Sequence, residues 1–135
     1  MKELSAIDLL LEFERDIKMA LYTLDRYNIS ANLALVACDD YDVDKAHLLA
    51  GIRQSDIAKK INDHYIAVLF TFVDYAGALC GLEKLLSRYA QYNLKASLIM
   101  FKEGEEITSV CERILAGNRV VHQNSDTKIY CENPI

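Results

Sequence analysis

Proline occurs once in the 135 residues and no Gly/Ser-rich run interrupts them, so nothing in the sequence marks a linker. A single domain over residues 1–135 is expected, and a chain of that length buries roughly 68% of the surface it exposes when unfolded. Long apolar runs are also missing. The longest, residues 66–73, falls far short of the ~20 residues that a membrane-spanning helix needs. The first residues, MKELSAIDLLLEFERD, carry acids inside their apolar stretch and no small-residue cleavage site. That pattern reads against a secretory signal and for a cytoplasmic protein. Basic clusters are absent apart from Lys59-Lys60, and with a formal net charge of −5 a phosphate-tracking nucleic-acid surface is not expected. Cys38, Cys80, Cys111 and Cys131 lie far apart with no CxxC, so they read as buried reduced thiols rather than a zinc site.

What is present is hydrophobic pattern. A hydrophobic fraction of 52% against 26% charged residues excludes disorder. The stretch RQSDIAKKINDHYIAVLFTFV, residues 53–73, reads as a β-hairpin: a strand over 56–61, a turn at Asn62-Asp63 and a strand over 64–73. The second strand is almost unbroken in apolar character, the mark of a central strand covered on both faces. The turn is expected to present Asp63 and His64 to solvent.

Before the hairpin, Leu10, Phe13, Ile17, Leu21 and Leu24 recur at helical spacing opposite Glu14, Arg15, Lys18 and Asp25, which predicts a long amphipathic helix over residues 3–27. A short buried strand over 32–38 follows, then an acidic turn of Asp39, Asp40, Tyr41 and Asp42, and a helix over 43–53 capped by Asp42 or Asp44. After the hairpin, Asp74 is a good N-cap for a helix carrying Leu79, Leu82, Leu86 and Tyr89 on one stripe. A strand over 94–101 comes next. A short last helix carries Ile107, Val110, Cys111, Ile114 and Leu115, with Gly117 at its left-handed C-terminal cap. Residues 119–122 and 128–131 are β-prone and predict a small edge hairpin at the C-terminus. No internal repeat is visible. This order favours an α+β fold with a ferredoxin-like βαββαβ core over a doubly wound parallel sheet.

Within that core the tetrad Arg53-Gln54-Ser55-Asp56, followed by five residues and then Asn62-Asp63-His64-Tyr65-Ile66, resembles the R-x-x-D and Gly-Gly-acid-acid-Phe hairpin of the GGDEF domain of diguanylate cyclases, whose fold is related to the nucleotidyl-cyclase palm. Asp40-Tyr41-Asp42 with Lys45 resembles the family's D-x-D-x-x-K. Ala96-Ser97-Leu98-Ile99 resembles its T-x-S-x-G strand, and Ala116-Gly117-Asn118-Arg119-Val120 its closing K-x-x-G-x-N-x-V. The pieces span roughly residues 11–121 and occur in the family's order.

The departures bear on function. The family's glycines admit GTP and its acids help hold metal ions, but here the tip is Asn62, Asp63, His64 and Tyr65. The helix expected after Asp42 is also shorter than the segment with which the family contacts guanine and ribose. The resemblance therefore implies a degenerate domain with no catalytic residues, no cofactor and no cyclase activity. Arg53 and Asp56 match the family's inhibitory site, and this implies cyclic di-GMP as a ligand. An Arg suits a phosphate or guanine edge, and a carboxylate suits the guanine N1/N2 donors. The plainer reading of Arg53 and Asp56 is a surface ion pair.

Asp40 and Asp42, with Asp39, are weaker candidates for a divalent cation, and a solvated turn with a helix cap is preferred. A remnant site pairing Asp40 with His64 is weaker still. His47, His64 and His122 are dispersed, and Cys38 beside three carboxylates is poorly placed for a nucleophile. The tyrosines read as half-buried packing residues. The expected function is an inactive GGDEF-like signalling module, a possible receptor for cyclic di-GMP. The alternative is a structural or protein-interaction domain with no nucleotide ligand. The first helix is the expected association element, for a homodimer or a protein partner, if its apolar face is not wholly used by the core.

Overall fold

A seven-residue strand with no exposed position, β1 (Ala31–Ala37), runs through the middle of the computed structural model, which describes residues 4–38 and 56–132. It is preceded by α1 (Ala6–Tyr27) and followed by the hairpin β2 (Ile57–Asn62) and β3 (Tyr65–Thr71). Next come α2 (Tyr75–Arg88), a 3-10 turn at Ala90–Tyr92, β4 (Lys95–Met100), α3 (Ile107–Gln123) and the short β5 (Ile129–Cys131). The strand order is β2-β3-β1-β4-β5. The first four strands pair antiparallel, which is the order of a ferredoxin-like core. The acidic turn and the helix expected between β1 and β2 lie outside the described residues.

Side chains of β1 alternate between two apolar layers, as the period-2 geometry of a strand demands. Leu33 and Leu35 join Leu9, Phe13 and Ile17 of α1 and Val110 and Ile114 of α3 on one face. Ala34 and Val36 join Leu82, Leu85 and Leu86 of α2 on the other. A strand covered on both faces needs no polar residue, and Asn32 is the exception. It is fully buried, and its amide donates to the Val73 carbonyl at 3.0 Å, fixing the end of β3 against β1.

Helix ends are closed by local chemistry. Ser5 and Asp8 form a capping box on α1, and Asn28 ends it in the left-handed conformation at φ 56°. Asp74 accepts from the Gly77 amide at 2.7 Å, the expected cap on α2. Lys59 of β2 reaches Asp16 at 2.9 Å and the Glu12 carbonyl at 3.2 Å, so half of the Lys59-Lys60 pair is spent joining the hairpin to α1.

Three expectations are corrected. The hairpin turn lies at Asp63-His64 rather than Asn62-Asp63, because Asn62 remains in β2 and Tyr65 already begins β3. β3 stops at Thr71, and Phe72 leaves the sheet at φ 61°. The C-terminal edge hairpin is absent among the described residues. α3 continues through residues 119–122 to Gln123, and only the second β-prone piece forms a strand, parallel to β4.

Two clusters explain the longer helix. Lys95 donates to the carbonyls of Val121 at 3.1 Å and Asn124 at 3.0 Å, placing a cation at the helix C-terminus. Arg113, only 15% exposed at its side chain, pairs with Glu105 and Glu132 at 3.1 Å each and donates to the Met100 carbonyl at 2.9 Å. That guanidinium joins both ends of the last two elements. Gly117 is accordingly no cap but a mid-helix contact: a Cβ there would stand 2.9 Å from the Tyr130 ring and 3.0 Å from Ser97 Cβ.

Gly117→Ala should lower stability by about 1–3 kcal/mol in urea unfolding followed by circular dichroism, although alanine is the better helix former. An unchanged midpoint would show that Tyr130 yields freely.

Candidate functional site

The hairpin tip is organised by Asn62, whose side-chain oxygen accepts from the His64 amide at 2.8 Å and so closes the turn around Asp63. Asp63 points outward and pairs with Lys60 at 3.1 Å, both side chains being largely exposed. His64 is half-buried. Its carbonyl accepts from the Cys38 amide at 2.7 Å, and its ring Nδ1 stands 3.4 Å from the Cys38 carbonyl. The tip is therefore attached to Cys38, the residue that follows β1.

Tyr65 does not belong to the exposed tip. It is 3% exposed and packs into the layer between the sheet and α1/α3. Its hydroxyl accepts from the Asn118 amide at 3.1 Å. Asn118 is itself 6% exposed, and its side-chain oxygen has no hydrogen-bond partner among the described residues. His122, one turn further along α3, donates from Nδ1 to the Asn118 carbonyl at 2.8 Å, with its ring 6.4 Å from that of Tyr65. The fold thus joins two separated pieces of the sequence, the hairpin tip and the 116–120 motif, through Tyr65 and Asn118. Sequence reasoning took Tyr65 for a half-buried packing residue and missed this pairing, because its partner lies 53 positions away.

Asp56 sits immediately before β2 and is half-buried. Arg53, Asp40, Asp42, Asp39 and His47 lie outside the described residues, so the expected Arg53–Asp56 site and the acidic turn have no described geometry. Among the described residues no group of three or more His, Cys, Asp or Glu side chains is gathered so as to hold a metal ion. No helix among them is long and apolar enough to cross a membrane.

The strand order, the hairpin and the helices on both faces match solved structures over most of the chain. The GGDEF domain of DgcB from Caulobacter crescentus, solved in complex with c-di-GMP, superposes with a TM-score of 0.73 at 13% identity, covering 88% of this chain and 87% of that one. The fold is that of a GGDEF domain. The FimX GGDEF domain from Pseudomonas aeruginosa matches this GGDEF-like chain with a TM-score of 0.71 at 14% identity, covering 90% and 91% of the two chains. Diguanylate cyclase SiaD from the same organism, solved with its activator SiaC, matches with a TM-score of 0.69 at 14% identity over 90% of this chain and 56% of its own. No family model matches the sequence, and no curated protein does.

The cysteines of this GGDEF-like domain differ in environment. Cys38 and Cys111 are buried, Cys131 is intermediate and Cys80 is exposed. Burial pushes the Cys111 thiol above its usual pKa and Glu112 adds to the effect. Burial likewise raises Cys131, with Glu83 adding and a hydrogen bond involving Tyr75 opposing. A raised pKa means less thiolate at any given pH, so burial and ionisation act in the same direction. In native protein at mildly alkaline pH, an aromatic disulfide reagent should modify Cys80 first, Cys131 more slowly, and Cys38 and Cys111 only on unfolding. Mass spectrometry of the labelled peptides reads the order, and Cys111 reacting as fast as Cys80 would contradict it.

Proposed function

We propose that the protein is a catalytically inactive, GGDEF-like signalling domain of the cytoplasm that acts by binding, with cyclic di-GMP as its ligand and Arg53 and Asp56 as the binding pair. The observation that carries the inactivity is the burial of Tyr65. Where the family's hairpin supplies an acid, this chain has a phenol turned into the core and hydrogen-bonded to Asn118. A phenol is a poor ligand for Mg²⁺, which favours hard anionic oxygens, and Asp63 at a glycine position adds negative charge where a triphosphate would approach. The R-x-x-D spacing supports the ligand. So does the agreement in fold with domains solved in complex with c-di-GMP.

Purified protein given GTP with Mg²⁺ or Mn²⁺ should form no cyclic di-GMP, as followed by chromatography of the nucleotides. In calorimetry, cyclic di-GMP should bind with micromolar affinity, and Arg53→Ala should weaken it by about 30-fold or more, as expected for losing a charge-assisted contact to phosphate. Product formation would refute the inactivity. An absence of heat with the unaltered protein would refute the receptor role alone.

A second reading, a protein-interaction domain with no nucleotide ligand, is favoured by the apolar side chains that α1 leaves exposed: Ile7, Leu11, Met19 and Tyr22.

A further inference from the structure

Between the second half of α1 and the sheet lies a partly enclosed, mostly apolar cleft of about 270 Å³. Its floor is the end of three strands: Ala31 of β1, Leu69 of β3 and Ile57 of β2, the last two facing each other across the hairpin. Ala20 and Thr23 of α1 stand in its wall. The space is left because Ala20 and Ala31, both buried, are small, whereas Leu9, Phe13, Ile17 and Leu33 fill the rest of this layer. Protein interiors have few gaps wider than a water molecule, so an apolar space of this size calls for an explanation. An aromatic side chain stands at the rim without filling it. Phe72 is 73% exposed and held at φ 61°. Asn28 and Asn93 share that left-handed region and tolerate it, but for a bulky residue such as phenylalanine it is strained. A strained backbone and an exposed ring thus coincide at the mouth of one apolar cleft.

One polar group selects the occupant. Asp16 lines the cleft with its side chain 21% exposed. Its Oδ2 takes the Lys59 ammonium at 2.9 Å, and its Oδ1 has no hydrogen bond among the described residues. The carboxylate charge is therefore already matched, which disfavours a cationic occupant, and the apolar walls disfavour an anion. One acceptor oxygen remains for an N–H or O–H. Size narrows the choice further. An apolar cavity of about 150 Å³ takes one benzene ring, so the larger space here suits two fused rings.

We propose that this cleft is a binding site for an uncharged, planar molecule of two fused rings carrying one hydrogen-bond donor. The donor meets Asp16, and Phe72 closes over the rings. The inference does not depend on nucleotide binding, so either proposal stands or falls without the other.

Indole is the probe, titrated into isotope-labelled protein and followed by the amide shifts in nuclear magnetic resonance, with circular dichroism confirming that each variant is folded. A dissociation constant of about 0.1–1 mM is expected for so small a ligand. The shifts should concentrate at residues 19–23, 29–31, 57 and 69–72. N-methylindole, which keeps the rings and lacks the N–H, should bind at least about fivefold more weakly. Phe72→Gly should weaken indole by about as much, while the urea midpoint holds or rises, because glycine takes φ 61° freely. A merely structural Phe72 would change stability and leave binding alone. Thr23→Phe, which puts a ring into the cleft from α1, should abolish binding. An absence of saturable shifts, shifts centred elsewhere, or undiminished binding by Thr23→Phe overturns the site. N-methylindole binding as tightly as indole overturns the role of Asp16, and undiminished binding by Phe72→Gly overturns the closure.

Discussion

The described elements of this domain are placed by one strand that is buried along its whole length. β1 is bonded along one edge to β3 and along the other to β4, and helices cover the described parts of both its faces. A backbone buried so completely has to find all its hydrogen bonds in neighbouring strands, since any left unmade would carry a desolvation cost. The two neighbours are correspondingly buried, β3 in residues 65–70 and β4 in 96–99. The polar residues of the sheet interior are tied down individually: Asn32 to the Val73 carbonyl and Ser97 to the Ile114 carbonyl.

This explains which features could be read from the sequence. α1, α2 and the strands β1, β3 and β4 declare themselves by period, because burial on one stripe or on both faces leaves a regular pattern of apolar residues. The tail does not. Residues 119–122 have β-prone side chains, but Val121 is buried on the inner face of α3 and Lys95 caps the helix from a distant strand, so tertiary contacts decide. Gly117 reads as punctuation because glycine usually ends helices, whereas here its lack of a side chain lets α3 approach Tyr130 and Ser97. Nothing within a few residues of Gly117 signals that contact.

The candidate site was legible in composition and not in direction. Asn62, Asp63, His64 and Tyr65 were recognisable as the residues at the hairpin, yet the side-chain oxygen of Asn62 moves the turn one residue onward. In a strand, a shift of one residue reverses which face a side chain takes. Tyr65 opens β3 in the layer under α1 and α3, Asp63 faces solvent as expected, and His64, expected in solvent, is half-buried. The link from Tyr65 to Asn118 crosses 53 positions of sequence, and no local pattern could announce it.

That link also bears on how the domain could change over evolutionary time. A carboxylate substituted at position 65 would lie in an apolar layer at the site of a neutral phenol, offered an amide donor by Asn118. Burial would disfavour its charged form, and the layer would lose the ring that now fills it. A change at this position is therefore a change to the core as well as to the hairpin, and any replacement has to satisfy the Asn118 amide from inside the fold.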